Sequence, residues 1–218
     1  MNEKAQRKNA HVFEREVNNW YVDPPSCAHA LFDVETDLRQ VWDPCCGMGN
    51  IVRVAAKRGL DVVANDLIAR PEFSIPGWFG ALNFLDAVQA APATSIVFNP
   101  PYGAGKPRLE EQFIMRALAA PGVSLVAALL PFRWLVARRA FLAEARSLVR
   151  IWMLSPRPSM LTGGELLAGS IPGGGQPDYA WFVFVPGSNS YPSIGWAVRD
   201  KSLDNASNWY WRQGDKNR

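Results

Sequence analysis

Hydrophobic and polar positions along the chain form two kinds of segment. Short apolar runs rich in valine, isoleucine and phenylalanine predict buried strands, and longer segments with a helical period of apolar residues predict helices. The predicted strands are LRQVWDP, LDVVAND, SIVF, VSLVAALLP, VRIWML and YAWFVFV. Two weaker segments are ALNFLDAV, which leads towards a strand at an edge of the sheet and third in chain order, and SIGWAV, a possible short strand in the C-terminal tail. The predicted helices are NIVRVAAKRG, RLEEQFIMRALAA and RWLVARRAFLAEARSL, with a shorter one at ALF.

Strands therefore alternate with helices, which predicts an α/β fold with a parallel sheet and helices on both faces. VSLVAALLP is almost wholly apolar, as expected for a strand that is covered on both sides. The 218 residues are expected to form one domain with a polar N-terminal segment (1–16), a glycine- and proline-rich loop (155–178) and a C-terminal tail (187–218).

Composition narrows the class of protein. The chain is 48% hydrophobic and 20% charged, which is typical of a globular protein, and its net charge of +3 permits an anionic partner without requiring one. No apolar run approaches the ~18 residues of a membrane span, and the polar N-terminus does not resemble a secretory signal. Three cysteines without a C-x-x-C pattern and two histidines without ligand spacing predict a reduced, cytoplasmic protein that holds no metal.

Polar motifs follow the predicted strands, and in a parallel α/β sheet ligands bind where strands end. These motifs are DPCCGMGN (43–50), ND (65–66), NFLD (83–86) and NPPY (99–102). Glycines let the backbone approach a ligand closely, and Asp66 can accept both hydroxyls of a ribose. Asp86 can accept from an adenine amino group. Taken one at a time, the glycine motif is also typical of an ordinary tight turn, Asp66 of a helix N-cap and Asp86 of a solvated surface residue. Their occurrence together, in this order and each at a strand end, favours a nucleotide-like ligand.

The series of motifs resembles that of the S-adenosylmethionine-dependent methyltransferases, and more narrowly the DNA amino-methyltransferases with an Asn/Asp-Pro-Pro-aromatic motif. NNWYVDPPSCAHALF resembles the N-terminal cofactor motif of small, phage-type DNA N6-adenine methyltransferases. The resemblance covers about residues 17–186 and departs at Cys45, where those proteins often have a large apolar residue. It implies a Rossmann-like class I methyltransferase fold with a mostly parallel, seven-stranded sheet, S-adenosyl-L-methionine as cofactor and DNA as partner.

The resemblance also implies roles for individual residues. The catalytic set is Asn99, Pro100, Pro101 and Tyr102. The cofactor contacts are expected at Tyr21, Pro24, Asp43, Pro44, Cys45, Gly47, Gly49, Asn50, Asp66, Leu67, Phe84 and Asp86. Trp20 and Tyr21 can equally be core aromatics.

The chemistry of amine methylation explains the NPPY motif. An exocyclic adenine amine is a weak nucleophile because its lone pair is conjugated into the ring. The Asn99 side-chain oxygen and the Pro100 carbonyl can each accept one N–H, which aims the lone pair at the methyl group. The prolines fix the backbone, and Tyr102 offers a ring on which a base extruded from the duplex can stack.

A second motif of similar appearance, Asp23-Pro24-Pro25-Ser26, is predicted not to be catalytic. Ser26 cannot stack on a base, and no apolar strand precedes Asp23. This segment is expected to pack against the cofactor through Tyr21 and Pro24.

Nucleic acid binding requires positive charge. The candidates for phosphate contacts are Lys106, Arg108, Arg133 and Arg157, whereas Arg146 and Arg150 are assigned to a solvated helix face. The loop 155–178 is predicted to order over the target strand, since no segment is long enough for a separate recognition domain.

Three alternatives to DNA adenine methylation stay open. The same motif serves methyltransferases of RNA or of protein glutamine amides. The protein could also be a catalytically inactive cofactor- or DNA-binding relic. A nicotinamide-dependent dehydrogenase is disfavoured, because Val52 stands where its third glycine would be and NPPY would have no role.

Overall fold

The computed structural model describes residues 20–86, 91–103, 108–171, 173 and 177–204. The polar N-terminal segment, Lys106, two glycines of the predicted loop (Gly174 and Gly175) and the end of the tail lie outside this part of the chain. The strands are β1 (Tyr21–Val22), β2 (Gln40–Asp43), β3 (Asp61–Asp66), β4 (Trp78–Ala81), β5 (Ser95–Phe98), β6 (Leu125–Pro131), β7 (Leu148–Ser155), β8 (Leu161–Thr162), β9 (Tyr179–Phe184) and β10 (Ser193–Val198). The helices are α1 (Pro25–Val34), α2 (Asn50–Lys57), α3 (Leu109–Leu118), α4 (Arg133–Ala137), α5 (Arg139–Ala145) and α6 (Gly163–Leu167), with a 3₁₀ turn at Lys201–Asp204.

An eight-stranded sheet forms the centre of the molecule, in the order β10-β7-β9-β6-β5-β2-β3-β4. Strand β9 runs antiparallel to both of its neighbours, and every other pair is parallel. The predicted mostly parallel α/β sheet is therefore confirmed, but with eight strands instead of seven. The additional strand is β10, the possible short strand SIGWAV, which pairs with β7.

The edge strand that was expected near ALNFLDAV lies earlier in the chain. The structure has it at β4, within the segment expected to be a loop, and ALNFLDAV does not contain it. The residues of β4 alternate between half-buried and exposed, because β4 is the last strand of the sheet. An exposed edge carries little hydrophobic signal, so its position was predicted wrongly.

Alternation along β5 explains why helices cover both faces of the sheet. Ile96 and Phe98 belong to a core cluster that includes α3, whereas Val97 belongs to a second cluster built with α1 and α2. All four residues of β5 are buried. The strand that precedes NPPY is thus fixed from both sides, which holds the motif in place.

The predicted long helix RWLVARRAFLAEARSL is two helices, α4 and α5. They are separated at Arg138, whose backbone is not helical (φ −122°, ψ 28°). The Arg138 guanidinium forms ion pairs with Glu111 (2.6 Å) and Glu110 (3.6 Å) on α3. Both acids are buried, and this pairing accompanies the break.

The stretch 155–178 was predicted to be a loop and is only partly one. Strand β8 pairs antiparallel with β1, and α6 follows it directly. Thr162 caps α6: its hydroxyl accepts from the Glu165 amide (3.1 Å), and the Glu165 carboxylate accepts from the Thr162 amide (2.8 Å). This β8–α6 segment (Leu161–Leu167) packs on the N-terminal loop beside the glycine motif.

Candidate functional site

The glycine turn connects β2 to α2. Gly47 (φ 53°) and Gly49 (φ 81°) both have left-handed backbone conformations, which glycine adopts without strain. A Cβ on Gly49 would also lie 2.9 Å from the Ile75 side chain. The backbone conformation and the close side chain therefore require glycine in this turn.

Asp66 lies at the end of β3 and contacts the glycine turn. Its Oδ2 accepts from the Gly47 amide (2.8 Å), and its Oδ1 accepts from the Ile68 amide (3.1 Å) and the Arg70 guanidinium (3.1 Å). Arg70 also stacks on the Trp20 ring at 4.3 Å. The carboxylate is thus where it was predicted, but it already has protein partners. Each oxygen can accept more than one hydrogen bond, so ribose hydroxyls can join or replace these donors.

The NPPY motif directly follows β5 and touches the glycine turn. The Cys45 thiol donates to the Asn99 carbonyl oxygen (3.3 Å), joining the two motifs. The Tyr102 hydroxyl donates to the Leu129 carbonyl (3.0 Å) and lies 3.3 Å from Asn99 Oδ1. Burial raises the pKa of Tyr102 well above its ordinary value, so this hydroxyl stays protonated. The ring is half-buried against the core, and its stacking role stays a prediction.

Asp23, from the segment predicted not to be catalytic, lies beside Asn99. Asp23 and Asn99 line one small cavity, and the Asn50 side-chain amide donates to the Asp23 carbonyl (2.8 Å). Asp23 is only 8% exposed, and burial raises its pKa to about 7. No local pattern in DPPS reveals this contact, because it depends on how the N-terminal loop folds over the sheet.

A small cavity lies between the N-terminal loop, the glycine turn and NPPY. It is lined by Tyr21, Val22, Asp23, Cys45, Cys46, Gly47, Met48, Asn50 and Asn99. Three buried polar atoms of this region lack a hydrogen-bond partner within the described residues: Trp20 Nε1, Asp23 Oδ2 and Asn50 Oδ1. The two acceptors belong to residues that line the cavity, and the Trp20 donor lies beside Gly47, which also lines it.

The cysteines of the turn are not activated. Burial, and then the Asp43 carboxylate, raise the pKa of the Cys45 and Cys46 thiols. Burial likewise raises the pKa of Cys27 in α1. Neutral thiols are poor nucleophiles, so these are small lining or core residues.

Other predicted cofactor residues lie around the cavity or beside it. Pro24 and Pro44 are buried; Pro24 precedes α1, and the Pro44 carbonyl accepts from the Asn65 side chain (3.1 Å). Asp43 is 2% exposed and accepts from the Cys45 amide (3.1 Å). Burial, with Asp23 nearby, raises the pKa of Asp43 well above its usual range.

The motif NFLD is held near Asp66, since the Leu82 amide donates to the Asp66 carbonyl (2.8 Å). Phe84, however, is 3% exposed and packs edge-on against Trp42 at 5.2 Å, so the structure assigns it to the core. Asp86 is exposed and accepts from the Asn83 side chain (2.8 Å). Leu67 is 60% exposed and open to a ligand.

The predicted phosphate contacts differ in how free their charges are. Arg108 and Arg133 are exposed at the starts of α3 and α4. Arg157 forms an ion pair with Asp178, which compensates its charge. Arg150 was predicted wrongly: it lies on β7 and binds the Glu35 carboxylate through two nitrogens (2.6 and 2.9 Å), not on a solvated helix face.

Neither a metal cluster nor a membrane-length helix is found in the part of the chain that the structure describes. There, no group of three or more histidine, cysteine, aspartate or glutamate side chains is arranged to hold a metal ion. None of its helices is both long and apolar enough to cross a bilayer.

The sequence matches no protein-family model and no curated protein. Among solved structures, the fold is similar to a protein proposed to be an RNA methyltransferase from Pyrococcus horikoshii (TM-score 0.55, 14% identity, 74% of this chain and 82% of that one). It is also similar to a predicted O-methyltransferase from Agrobacterium tumefaciens (TM-score 0.51, 15% identity, 81% and 86% covered). A third is 1,6-didemethyltoxoflavin-N1-methyltransferase from Burkholderia thailandensis, with S-adenosylhomocysteine bound (TM-score 0.51, 12% identity, 73% and 76% covered). With the strand order above, these likenesses establish that the chain has the α/β, Rossmann-like fold of class I methyltransferases.

Proposed function

We propose that the protein transfers a methyl group from S-adenosylmethionine to the exocyclic N6 amine of adenine in DNA. The observation that carries this proposal is the joint position of two motifs. Asn99 of NPPY lines the same cavity as the backbone of the glycine turn, and the Cys45 thiol links them. A methyl donor held by the glycine turn would therefore lie beside the hydrogen-bond acceptors for the target amine.

The unused polar atoms around the cavity suit the amino-acid part of the cofactor. An ammonium group offers donors, for which Asp23 Oδ2 and Asn50 Oδ1 are available acceptors. A carboxylate offers acceptors, for which Trp20 Nε1 is an available donor. Buried polar groups are normally hydrogen-bonded, so three such atoms in one place favour a polar ligand that carries both charges. Asp66 would hold the ribose hydroxyls.

The chain contributes orientation and charge stabilisation to the reaction. When bound, S-adenosylmethionine supplies an electrophilic methyl group on a positively charged sulfur. Asn99 Oδ1 and the Pro100 carbonyl accept the two amine hydrogens, which turns the nitrogen lone pair towards that methyl group. Prolines 100 and 101 restrict the backbone so that both acceptors stay in place. The Tyr102 ring supports the base by stacking.

DNA is favoured as substrate by the resemblance of the N-terminal loop and NPPY to the DNA adenine enzymes. The exposed Arg108 and Arg133, near the NPPY end of the sheet, supply positive charge for a phosphate backbone. Adenine in RNA and a protein glutamine amide present the same kind of planar amine to the same acceptors. The substrate polymer is therefore decided by the following experiment.

The purified protein is incubated with methyl-labelled S-adenosylmethionine and separate pools of DNA, RNA and protein, and the products are hydrolysed and analysed as nucleosides or amino acids. We expect label in N6-methyldeoxyadenosine. The Asn99→Ala variant is the matched control for contaminating activities. If label appears only in RNA or only in protein, that polymer is the substrate and the DNA proposal is wrong. If label is transferred to no pool, the methyltransferase proposal is contradicted.

A further inference from the structure

We propose that strand β10 (Ser193–Val198) is the interface through which two copies of this chain associate, with their β10 edges paired antiparallel about a two-fold axis. Strand β10 is the last strand at the end of the sheet opposite β3 and β4. The inference therefore concerns a surface away from the glycine turn, and it does not depend on the proposed methyltransferase activity.

Strand β10 has an open backbone edge. It pairs with β7 on one side, and its other side is paired with no strand among the residues that the structure describes. The Arg199 amide, directly after β10, donates to the Ser155 carbonyl of β7 (2.7 Å). Because the backbone groups of successive residues in a strand point to alternate sides, those of Ile194, Trp196 and Val198 point away from β7. The open edge thus presents three N–H donors and three C=O acceptors to another strand.

The side chains of the same three residues form an uncovered apolar stripe. Ile194, Trp196 and Val198 are 61%, 61% and 71% exposed. Ala197, on the opposite face of the strand, is fully buried in the core cluster built with α1. One face of β10 is therefore covered, whereas the other exposes large apolar side chains beside unpaired backbone.

The sequence of β10 does not protect this edge. Edge strands that remain unpaired usually carry charges, prolines or bulges, and SIGWAV contains no charged residue and no proline. Its register with β7 is unbroken over six residues. Strand β4, at the opposite edge, has four residues and an irregular register with β3. Of the two edges, β10 is therefore the better template for another strand.

A second copy of β10 satisfies the backbone edge and the apolar stripe together. In the antiparallel register that places Trp196 opposite the partner's Trp196, Ile194 lies opposite the partner's Val198. The exposed apolar side chains then meet one another. These are also hydrogen-bonded pairs, each of which exchanges two backbone bonds, so every outward-pointing group of the strand is used. Asp200 falls opposite the partner's Pro192, so no like charges meet at the ends of the strand.

The exposed area is compatible with a reversible dimer. Tyr191, just before β10, is fully exposed, and together with Trp196 it leaves on the order of 300 Å² uncovered, given about 150–250 Å² for an aromatic side chain. With Ile194, Val198 and the edge backbone, the contact approaches the lower end of specific interfaces, about 600 Å² per copy. Association should therefore depend on protein concentration.

This pairing also fixes the direction of the two candidate sites. Strand β10 runs in the same direction as β2 and β5, whose carboxyl ends carry the glycine turn and NPPY. Antiparallel β10 strands would therefore place the two sites on opposite sides of the dimer. Each copy keeps a complete site, so methyl transfer per copy should not depend on association.

Sedimentation velocity of the full chain over a concentration series tests the association. We expect a monomer–dimer equilibrium. Trp196→Lys places a charge at the centre of the interface and should be monomeric over the same range, with circular dichroism showing that it is folded. Phe79→Lys, the matched change at an exposed aromatic residue of β4, should dimerise like the unsubstituted protein.

Two results of this experiment would overturn the proposal. A monomer at every concentration in the unsubstituted protein would leave the edge to a segment of a different protein. A dimer that persists in Trp196→Lys would place the interface elsewhere on the molecule. The labelled-methyl assay on Trp196→Lys separates this inference from the proposed function, because activity per copy should be unchanged whether or not the dimer forms.

Disulfide cross-linking tests the register without adding a charge to the strand. Opposite Cα atoms in a hydrogen-bonded antiparallel pair are about 5.5 Å apart, which a disulfide can span. Trp196→Cys should therefore form a covalent dimer when copper phenanthroline is added as oxidant. Ile194→Cys, equally exposed on the same face, lies opposite the partner's Val198 and is too far from its own equivalent to cross-link. The unsubstituted protein measures any background from its native cysteines. Equal cross-linking in both variants, or none in Trp196→Cys, would refute the two-fold pairing of β10.

Discussion

The Gly47 amide donates a 2.8 Å hydrogen bond to the Asp66 carboxylate, which joins the glycine turn of the first sheet motif to the end of the neighbouring strand β3. This bond fixes the relative position of two groups that were predicted to bind different parts of one cofactor. The Asp66 carboxylate is also fixed from its other side by Arg70. Its contribution to cofactor binding can therefore be measured against a defined geometry.

Asp66→Ala should weaken S-adenosylmethionine binding, because it removes the acceptor for the ribose hydroxyls and loosens the glycine turn. Hydrogen bonds to a charged group contribute about 1.5–3 kcal/mol, which corresponds to roughly tenfold or more in Kd by titration calorimetry. Asp61→Ala, at the opposite end of β3, is the control and should bind normally. An unchanged Kd in Asp66→Ala would exclude Asp66 from the cofactor site.

Asn99→Ala should abolish methyl transfer and leave cofactor binding nearly unchanged, since the side chain acts on the target amine. Asn99→Asp is more informative, because aspartate retains an acceptor oxygen. The new carboxylate would share the cavity with the buried Asp23, so like-charge repulsion should favour protonation of one of the pair. We expect partial activity that rises with pH, measured as kcat across the pH range. Full activity in Asn99→Ala would remove NPPY from the mechanism.

Two substitutions separate the ring of Tyr102 from its hydroxyl. Tyr102→Phe removes the bond to the Leu129 carbonyl and should lower the free energy of unfolding by about 0.5–1.5 kcal/mol, with nucleic acid binding retained. Tyr102→Ala also removes the ring and should weaken binding of the flipped base by about 1–3 kcal/mol. Denaturant unfolding and a binding titration with adenine-containing DNA measure the two effects. Equal DNA affinity in both variants would contradict the stacking role.

The sequence was sufficient for the parts of the site that follow buried strands. Strand β5 is buried on both faces, so its apolar run was recognisable and NPPY followed at its end. The glycine turn was likewise marked by residue type, because the left-handed backbone at positions 47 and 49 favours glycine. These signals are local: each depends on residues that are adjacent in the chain.

Features that depend on long-range packing were not predicted. Asp23 and Asn99 come from distant segments and line the same cavity, and nothing in DPPS distinguishes a loop residue from a site residue. Phe84 looked like a ligand contact by its place in NFLD, but its ring fills the core beside Trp42. The β8–α6 segment was predicted as a loop because it is rich in glycine. One of these glycines is needed because a neighbouring side chain leaves no room for a Cβ, not because the backbone must be flexible.

That glycine is Gly163, and its substitution tests the role of the β8–α6 segment. A Cβ there would lie 2.2 Å from the Trp20 ring, and the Gly163 amide donates to the Trp20 carbonyl (2.9 Å). Trp20 in turn packs against Gly47, so the overlap cannot be relieved without moving a side chain of the cofactor region. Gly163→Ala should lower the free energy of unfolding by about 1–3 kcal/mol and weaken cofactor binding. Gly173→Ala is the matched control, since a Cβ there has no neighbour within 4 Å among the residues that the structure describes. Thermal unfolding and calorimetry on both variants measure the effects, and equal cofactor affinity in both would show that the segment does not shape the site.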